Sequence, residues 1–421
     1  MRRMASRALV KSGLCPLLVP SPRRYTSSTA CGATNCLCAA RRTRTSEIAS
    51  MTTARSTALA DTSSTMSTTP GLVNAHHHLY SALARGMPGP KRSARNFADM
   101  LSLVWWRLDA AHDLDTIYWS AKLGALEAAL AGTTCIIDHH ESPRAIDGSL
   151  DAIDRACNEV GVRVSACYGA TDRWADDGSL REKVSPLSAM TKAAQAGLDE
   201  CDRHLRSGKR GMVGLHAAFT CSDETIAAAA SLAASHGVGV HVHVAEAIDD
   251  IAAGARLEPH ATDDWLLVHT VHLDRPLRGR IAHNPRSNMN NGVGYAKPTT
   301  KPNKVLLGSD GIGSDMAEES RLAYVRLREF DSHATPDVVA GWMHNARQVF
   351  PESLDDVVTW RYPAADAPWH TAFTTGMRVE QVQVAGQVVV DRGTTVLVDE
   401  HEVRAKAREA AARLHQRMEN L

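Results

Sequence analysis

Three consecutive histidines follow a short apolar run and have the spacing of a metal site. Leu72–Ala75 is predicted to be a buried strand, and it leads directly into His76, His77 and His78. Side chains alternate between the two faces of a strand, so His76 and His78 point one way and His77 the other. Two imidazoles on one side supply half of the ligands of a tetrahedral metal site. A lone pair is weak evidence, so the rest of the chain must decide.

Short β-rich runs alternate with helical stretches from Gly71 onward, which predicts a parallel sheet. The predicted strands are Leu72–Ala75, Thr133–Asp138, Gly161–Tyr168, Met212–Ala217, Gly237–Val244, Trp265–His269, Arg280–Asn284 and Lys304–Ser309. Such a series indicates an α/β fold of the (β/α)8 TIM-barrel type, in which functional residues lie at the carboxyl ends of the strands.

Histidines and acidic residues are concentrated at those carboxyl ends, where a structural protein has no reason to collect them. They are His76, His78, Asp138, His139, His140, His216, His243, Glu246, His269, His272, His283 and Asp310. This distribution strongly favours a metal site. Spacing alone leaves His241 and His243 as alternatives at the fifth strand, because they share a face.

The composition is that of an ordinary soluble globular protein, with 44% hydrophobic residues, 22% charged residues and a formal net charge of +0. It gives no indication of nucleic-acid or membrane binding, and no apolar run approaches the roughly 20 residues that span a bilayer. The core-region cysteines lack disulfide-like spacing, which favours a reducing, cytoplasmic environment.

The first 69 residues are predicted to form a low-complexity extension that carries no core. Residues 1–46 contain nine Arg or Lys and no acidic residue. This bias is typical of a mitochondrial or other organellar transit peptide. The other interpretation is a disordered upstream extension, with Met51 or Met66 as the actual start.

The predicted barrel occupies residues 70–345, and residues 346–421 are predicted to form a small β appendage with a terminal helix. Asp355–Trp360 and the hairpin Arg378–Asp391 supply its strands, and Glu400–Met418 its helix. Within the barrel, Asp115–Ala131 and Asp223–Ser235 are predicted helices, with Asp223 as the N-cap of the second.

Several long strings resemble the amidohydrolase superfamily, and within it the SsnA-type aminohydrolases, near the guanine, 8-oxoguanine and triazine deaminases. The strings are GLVNAHHHLYSALARG, VWWRLD, YWSAKLGALEAALAGTTCIIDHHESP, HVHVAE, LLVHTVHL, AHNPRSNMNNGVGYA and LLGSDGIGSDM. The resemblance runs from about Gly71 to the C-terminus, and it implies a metal-dependent hydrolase barrel.

The resemblance also implies residue roles. His76, His78, His243 and Asp310 match the ligands of one divalent metal, zinc before iron. Such a set leaves one coordination position for water, whose pKa the metal lowers. Glu246 matches a proton-shuttling glutamate, His269 a histidine that polarises the bond under attack, and Asp310 a group that accepts a proton from the water.

The binuclear branch of the superfamily places a lysine after the fourth strand, where this chain offers His216 and no lysine, so one metal is favoured. Substrate contacts are less sharply defined. Trp105, Trp106 and Arg107 could stack on or bind a planar heterocycle. His139, His140, His283 and Asn288 are placed on the expected rim.

Two departures from the family pattern concern folding. The residues before Gly71 show no strand alternation, so the appendage lacks its usual partner strands. Only about ten residues separate the sixth and seventh strands, fewer than a parallel crossover with a helix needs. Ser287–Asn303 is also predicted to be non-helical, so the outer helices six and seven are expected to be shortened or missing.

The leading hypothesis is therefore hydrolytic deamination, or dechlorination, of a purine-, pyrimidine- or triazine-like ring as a small-molecule substrate. A cyclic-amide hydrolase with the same site is the alternative within the superfamily. A truncated, non-catalytic relative is the alternative from another class. Shortened outer helices would expose apolar surface, which a homo-oligomer could cover.

Overall fold

The computed structural model of the protein describes residues 65–181 and 189–421. The predicted extension 1–69 therefore lies outside the described residues except for its last five. In the described ranges, no helix combines the length and apolar character needed to cross a membrane.

An eight-stranded parallel sheet forms the main body, with its strands in sequential order from β2 to β9. Its strands are β2 Leu72–His77, β3 Thr133–His140, β4 Arg163–Ala170, β5 Val213–Ala217, β6 Val240–Val244, β7 Leu266–His269, β8 Arg280–His283 and β9 Val305–Leu307. A parallel bridge between His77 and Asp310 brings the last strand to the first. All eight predicted strands are confirmed, and the sheet is nearly closed into a TIM barrel.

A second, antiparallel sheet contains β1 Ser67–Pro70, β10 Val357–Trp360, β11 Val379–Val384, β12 Gln387–Asp391 and β13 Thr394–Thr395. The expected absence of strands before Gly71 is wrong, because Ser67–Pro70 pairs with Val357–Trp360. Its sequence, STTP, has no apolar alternation, so only the distant partner strand determines that it is extended. The hairpin β11–β12 turns at Ala385-Gly386, as predicted.

The helices are α1 Phe97–Met100, α2 Trp106–Ala111, α3 Leu114–Leu130, α4 Ser149–Val160, α5 Lys192–Arg206, α6 Asp223–His236, α7 Ala253–Leu257, α8 Pro285–Asn290, α9 Met316–Phe330, α10 Pro336–Val349, α11 Pro368–Phe373 and α12 Glu400–Glu419. A π-helical turn, Leu101–Trp105, joins α1 to α2. The side chain of Ser222, not Asp223, caps α6 by accepting from Thr225 N, so the predicted cap is one residue too late.

The connections around β3 to β6 contain the long helices α3 to α6, whereas the two connections around β8 do not. Residues 270–279, between β7 and β8, form a loop without a helix, as predicted. Between β8 and β9 the only α-helix of the described chain is the short α8. The prediction that Ser287–Asn303 is non-helical is therefore wrong at its start, where Pro285 occupies the first turn of a helix.

Candidate metal centre and active site

Four buried side chains meet at the carboxyl-terminal end of the barrel. His76 lies on β2, His78 directly follows it, His243 lies on β6, and Asp310 follows β9. One ligand atom from each lies within 4.8 Å of the others. The structure thus brings together the four residues for which the sequence predicted a metal. Three imidazoles and one carboxylate are a donor set that binds zinc-like cations.

Hydrogen bonds orient the imidazoles for this role. The Nδ1 of His78 lies 2.6 Å from the carbonyl oxygen of His139, and the Nδ1 of His243 lies 2.7 Å from that of His216. A carbonyl can only accept, so each Nδ1 carries a proton and each Nε2 is turned toward the cluster. The two Nε2 atoms lie 3.2 Å apart.

His76 provides the strongest sign that the cluster fits a cation. Its Nε2 is fully buried and has no hydrogen-bond partner within the described residues, although it faces Asp310. Buried polar atoms are nearly always satisfied, so this lone pair calls for an electrophilic partner. The Nδ1 of His76 lies 2.8 Å from the Nε2 of His241. His241 therefore lies behind His76, and the structure places His243 in the cluster.

The electrostatics agree with a cation-binding set. Burial holds the pKa of His76 well below its usual value, and burial together with the charge of His78 lowers that of His243 to about 3. Burial also lowers the pKa of His78, but hydrogen bonding to Asp310 outweighs it and raises the pKa to about 9. The His78–Asp310 pair therefore holds a proton that a bound cation would displace.

Contacts between the first and last strands fix the cluster. The side-chain nitrogen of Asn74 donates to Ser309 Oγ at 2.7 Å, and the side-chain oxygen of Asn74 accepts from Ser309 N at 3.1 Å. The backbone N of Asp310 donates to the carbonyl of His76 at 3.0 Å. Asp310 also has a φ of 56°, a left-handed conformation that is costly for a residue other than glycine. Strain of this kind is typical of functional sites.

A second group of polar side chains shares Asp310. The Nε2 of His269 lies 3.5 Å from Glu246 Oε2 and 3.6 Å from Asp310 Oδ2. Burial raises the pKa of Glu246 above its usual value. A carboxyl group that keeps its proton nearer to neutral pH is suited to general acid–base chemistry. These are the three residues to which the resemblance assigned catalytic roles.

The short helix α8 and the residue that follows its C-terminus contact all three of these side chains. Ser287 Oγ donates to Asp310 Oδ2 at 2.5 Å, and Asn288 Oδ1 lies 2.8 Å from His269 Nδ1. The side chain of Asn291 donates to Glu246 Oε1 at 3.2 Å. His269 donates from Nδ1 to Asn288, which fixes the ring with its Nε2 facing Glu246 and Asp310.

These groups face a cavity of about 940 Å³ that is open to solvent. Trp105 and Trp106, from the π-helical turn and the start of α2, line it together with Phe97 and Phe219. Aromatic walls beside a few polar groups are typical of sites for flat, partly apolar ligands. The structure thus brings both tryptophans to the cavity, as the sequence predicted.

Other predicted substrate residues lie elsewhere. Arg107 donates to the carbonyl of Met418 on α12, because the next position on a helix turns by about 100° from Trp106. His140 is buried between Tyr80 and Tyr168, and its Nε2 bonds to Ser142 Oγ. Neither Arg107 nor His140 is among the described residues that line the cavity, and their contact with substrate stays a prediction.

The remaining rim residues serve internal contacts as well. His283 is buried against Tyr295 and Trp342, away from the cavity lining. Asn288 holds His269 and does not line the cavity. His139 lies beneath the cluster, with Nε2 donating to the carbonyl of Leu215 at 3.0 Å. None of these three residues is among the described residues that line the cavity, and a role for them in substrate binding stays a prediction.

The sequence analysis did not single out Asp109 and Glu141, which line the cavity, or Arg173, which binds both. Asp109 ends the VWWRLD string and Glu141 lies in DHHESP, which both belong to the strings that resemble the amidohydrolase superfamily. Ser287 and Asn291 were likewise present in the string that contains Asn288. The available signal was a carboxylate close to two tryptophans, as Asp109 is in VWWRLD.

The fold and the site together define a hydrolase-type (β/α)8 barrel with a metal-ligating rim. The amidohydrolase family profile matches residues 68–340 of the chain. The chain therefore belongs to the amidohydrolase family, and the expected family membership is confirmed.

Among characterised relatives, the chain is 28% identical to the 5'-deoxyadenosine deaminase of Methanopyrus kandleri, covering 82% of this chain and 86% of that one. It is 29% identical to the 5-methylthioadenosine/S-adenosylhomocysteine deaminase of Desulforudis audaxviator, covering 83% and 87%. The relatives are thus matched over most of their length.

Solved structures show the same fold. Atrazine chlorohydrolase from Arthrobacter aurescens, in complex with zinc, superposes with a TM-score of 0.67 at 21% identity and covers 82% of this chain and 88% of its own. An adenosine deaminase from Xanthomonas campestris with bound zinc gives a TM-score of 0.67 at 18% identity, covering 84% and 87%.

Proposed function

We propose that the protein is a zinc-dependent hydrolytic deaminase of an aminopurine nucleoside or a similar amino-substituted heterocycle. One observation carries this proposal: the cation-binding cluster and the group Glu246–His269–Asp310 face the same aromatic-walled cavity. The names of the relatives and solved structures, which include adenosine-type deaminases and a zinc-bound triazine hydrolase, support the choice of reaction and of metal.

The metal supplies one piece of chemistry when bound: it lowers the pKa of a water molecule so that this water can attack near neutral pH. His76, His78, His243 and Asp310 would hold it. Zinc suits a site of three nitrogen ligands and one carboxylate oxygen.

The chain's own residues then carry out the proton transfers. As the oxygen of the water forms a bond to the ring carbon that bears the amino group, Glu246 passes a proton to the adjacent ring nitrogen. The second water proton passes through Asp310 to the amino group, the carbon–nitrogen bond breaks, and ammonia leaves a carbonyl product. His269, which Asn288 orients, hydrogen-bonds to the attacking water oxygen during this transfer.

The test is ammonia release from adenosine, 5'-deoxyadenosine, 5'-methylthioadenosine and an amino-triazine, measured together with the metal content of the purified protein. We expect about one zinc per chain and turnover of at least one nucleoside. Glu246→Gln should lower kcat at least about 100-fold, because it removes the proton carrier but no proposed metal ligand.

Glu258→Gln is the matched control, since Glu258 is exposed and pairs with Arg275 away from the cavity. It should keep wild-type turnover and metal. The proposal fails if the protein carries no divalent metal after reconstitution, or if Glu246→Gln retains a tenth or more of the wild-type kcat.

A further inference from the structure

A second cavity, with a volume of about 770 Å³, lies apart from the cavity at the metal centre. Helices α9, α10 and α11 bound it together with the antiparallel sheet. No residue among the described ones lines both cavities. Leu72, at the start of β2, lines the second cavity, whereas His76 and His78 lie near and just beyond the other end of that strand. The second cavity is therefore a separate candidate site.

One face of α10 lines this second cavity. Val339, Met343 and Arg347 follow one another at intervals of four residues, so their side chains lie on the same face of the helix. Tyr324 from α9 and Trp360 from β10 contribute aromatic rings to the wall. The cavity thus combines apolar and aromatic side chains with one cation in the last turn of α10.

This cation has no counter-charge in the described part of the chain. The Nε of Arg347 donates to the carbonyl of Gly71 at 3.1 Å, and its two terminal nitrogens have no hydrogen-bond partner among the described residues. Burial lowers the pKa of Arg347 below its usual value, and no described carboxylate offsets that effect. Asp366 also lines the cavity, but it is exposed and forms no ion pair with Arg347. A partly buried cation without a partner is costly, so an anion is the ligand that this cavity fits.

We propose that the second cavity binds a small monocarboxylate with an apolar body, whose carboxylate pairs with Arg347. The two terminal nitrogens of a guanidinium group match the two oxygens of one carboxylate. The apolar body lies against Met343, Tyr324 and Trp360. The carboxylate of Asp366 opposes any further negative charge, which disfavours phosphates and dicarboxylates. The site takes no part in the deamination proposed above, so the two proposals stand or fall separately.

Calorimetric titration of the full-length protein with octanoate and with octan-1-ol tests the proposal. The two probes have the same chain length and differ in the charge of one end. We expect octanoate to bind at least about tenfold more tightly, since a charge-assisted pair adds to the same apolar contact. Equal affinities, or no binding of octanoate, would overturn the proposal.

Arg347→Met then locates the carboxylate, because methionine keeps an unbranched apolar side chain and removes the charge. It should weaken octanoate binding at least about tenfold and change octan-1-ol binding by less than about threefold. Ala340→Phe, which narrows the cavity and keeps Arg347, should weaken both probes and serves if Arg347→Met fails to fold. Arg328→Met is the matched control, since Arg328 is exposed on α9 and does not line the cavity. Equal effects of Arg347→Met and Arg328→Met would contradict the assigned site.

A carboxylate could also bind at the metal centre, and Asp310→Ala distinguishes the two places. This substitution removes a proposed metal ligand and leaves the second cavity intact. Octanoate should bind to Asp310→Ala within about threefold of its wild-type affinity. Loss of octanoate binding in Asp310→Ala, with binding retained in Arg347→Met, would place the carboxylate at the metal and overturn the proposal.

Discussion

The two sides of the barrel hold their functional residues by different means. Around β3 to β6, long helices α3 to α6 provide the outer layer, and apolar burial supports the strands. Around β8, a loop and the short α8 replace two long helices. There, Ser287 and Asn291 donate hydrogen bonds to Asp310 and Glu246, and Asn288 accepts one from His269.

This difference indicates that polar contacts at the rim can position the functional residues of a shortened barrel. Apolar packing resists displacement in all directions but does not select a side-chain rotation. A hydrogen bond to a specified oxygen does select one. His243 from the covered side and His269 and Asp310 from the other side therefore meet at one point.

The largest expected effect comes from removing a proposed metal ligand on either side of the barrel. Asp310→Ala and His243→Ala remove one proposed ligand each from opposite sides of the barrel. Each should abolish metal retention after gel filtration and lower turnover at least about 1,000-fold, because the water is no longer activated. Retention of stoichiometric metal by either variant would contradict the assigned ligand set.

The next largest effect is on stability, and it differs with the packing on the two sides of the barrel. Ile153 on α4 and Leu277 in the loop before β8 are both buried, with exposed fractions of 0% and 4%. Ile153→Ala should lower the free energy of unfolding by about 3–5 kcal/mol, because the rigid helices around it cannot move to fill the cavity that the substitution creates. Leu277→Ala should cost about 2 kcal/mol, because a loop can collapse into the space.

Chemical denaturation of both variants measures this difference. Ile226→Val, which removes one methylene group in α6, is the control and should cost about 1 kcal/mol. A larger loss for Leu277→Ala than for Ile153→Ala would mean that the loop, and not the helical layer, is the more rigid cover.

Local rules predicted the strands of the barrel and the collection of histidines and acidic residues at one rim, whereas the choice of His76, His78, His243 and Asp310 as metal ligands came from the resemblance to the amidohydrolases. Apolar runs mark buried strands, and strand ends share one rim. Strand alternation could also have separated His139 from His140, since neighbours in a strand point in opposite directions.

The structural features that the sequence did not predict depend on contacts between distant segments. Ser67–Pro70 becomes a strand only because Val357–Trp360 pairs with it. Arg107 contacts α12 and does not line the cavity because of the phase of α2, which the string VWWRLD does not specify. The Asp109–Arg173–Glu141 network joins three separate segments, and no spacing in the sequence predicts it.

A smaller effect tests the polar contacts directly. Asn288→Ala removes the acceptor that orients His269 and should lower kcat about tenfold with little change in KM, since Asn288 is not among the described residues that line the cavity. Metal content should stay at the wild-type value. Asn288→Asp, which keeps the acceptor oxygen, should restore most of the rate, and failure to do so would contradict a positioning role.

The smallest expected effect concerns the anchor of α8. Glu319 accepts from the backbone N of Arg286 at 3.1 Å and from its Nε at 2.9 Å. Burial raises the pKa of Glu319 to about 7 although Arg286 opposes the shift. A carboxyl group with a raised folded-state pKa is stabilising when protonated, so its contribution is complete below about pH 4 and is lost as the pH rises toward 7.

Glu319→Gln should therefore flatten the fall in unfolding free energy between pH 5 and pH 6, a difference of at most about 1.4 kcal/mol per chain. Denaturant unfolding at the two pH values measures it. Glu318→Gln, one residue earlier and paired with Arg321 at the surface, is the matched control and should keep the wild-type slope. If both variants behave alike, the buried anchor does not set the pH response, and α8 is held mainly by its contacts with Asp310, His269 and Glu246.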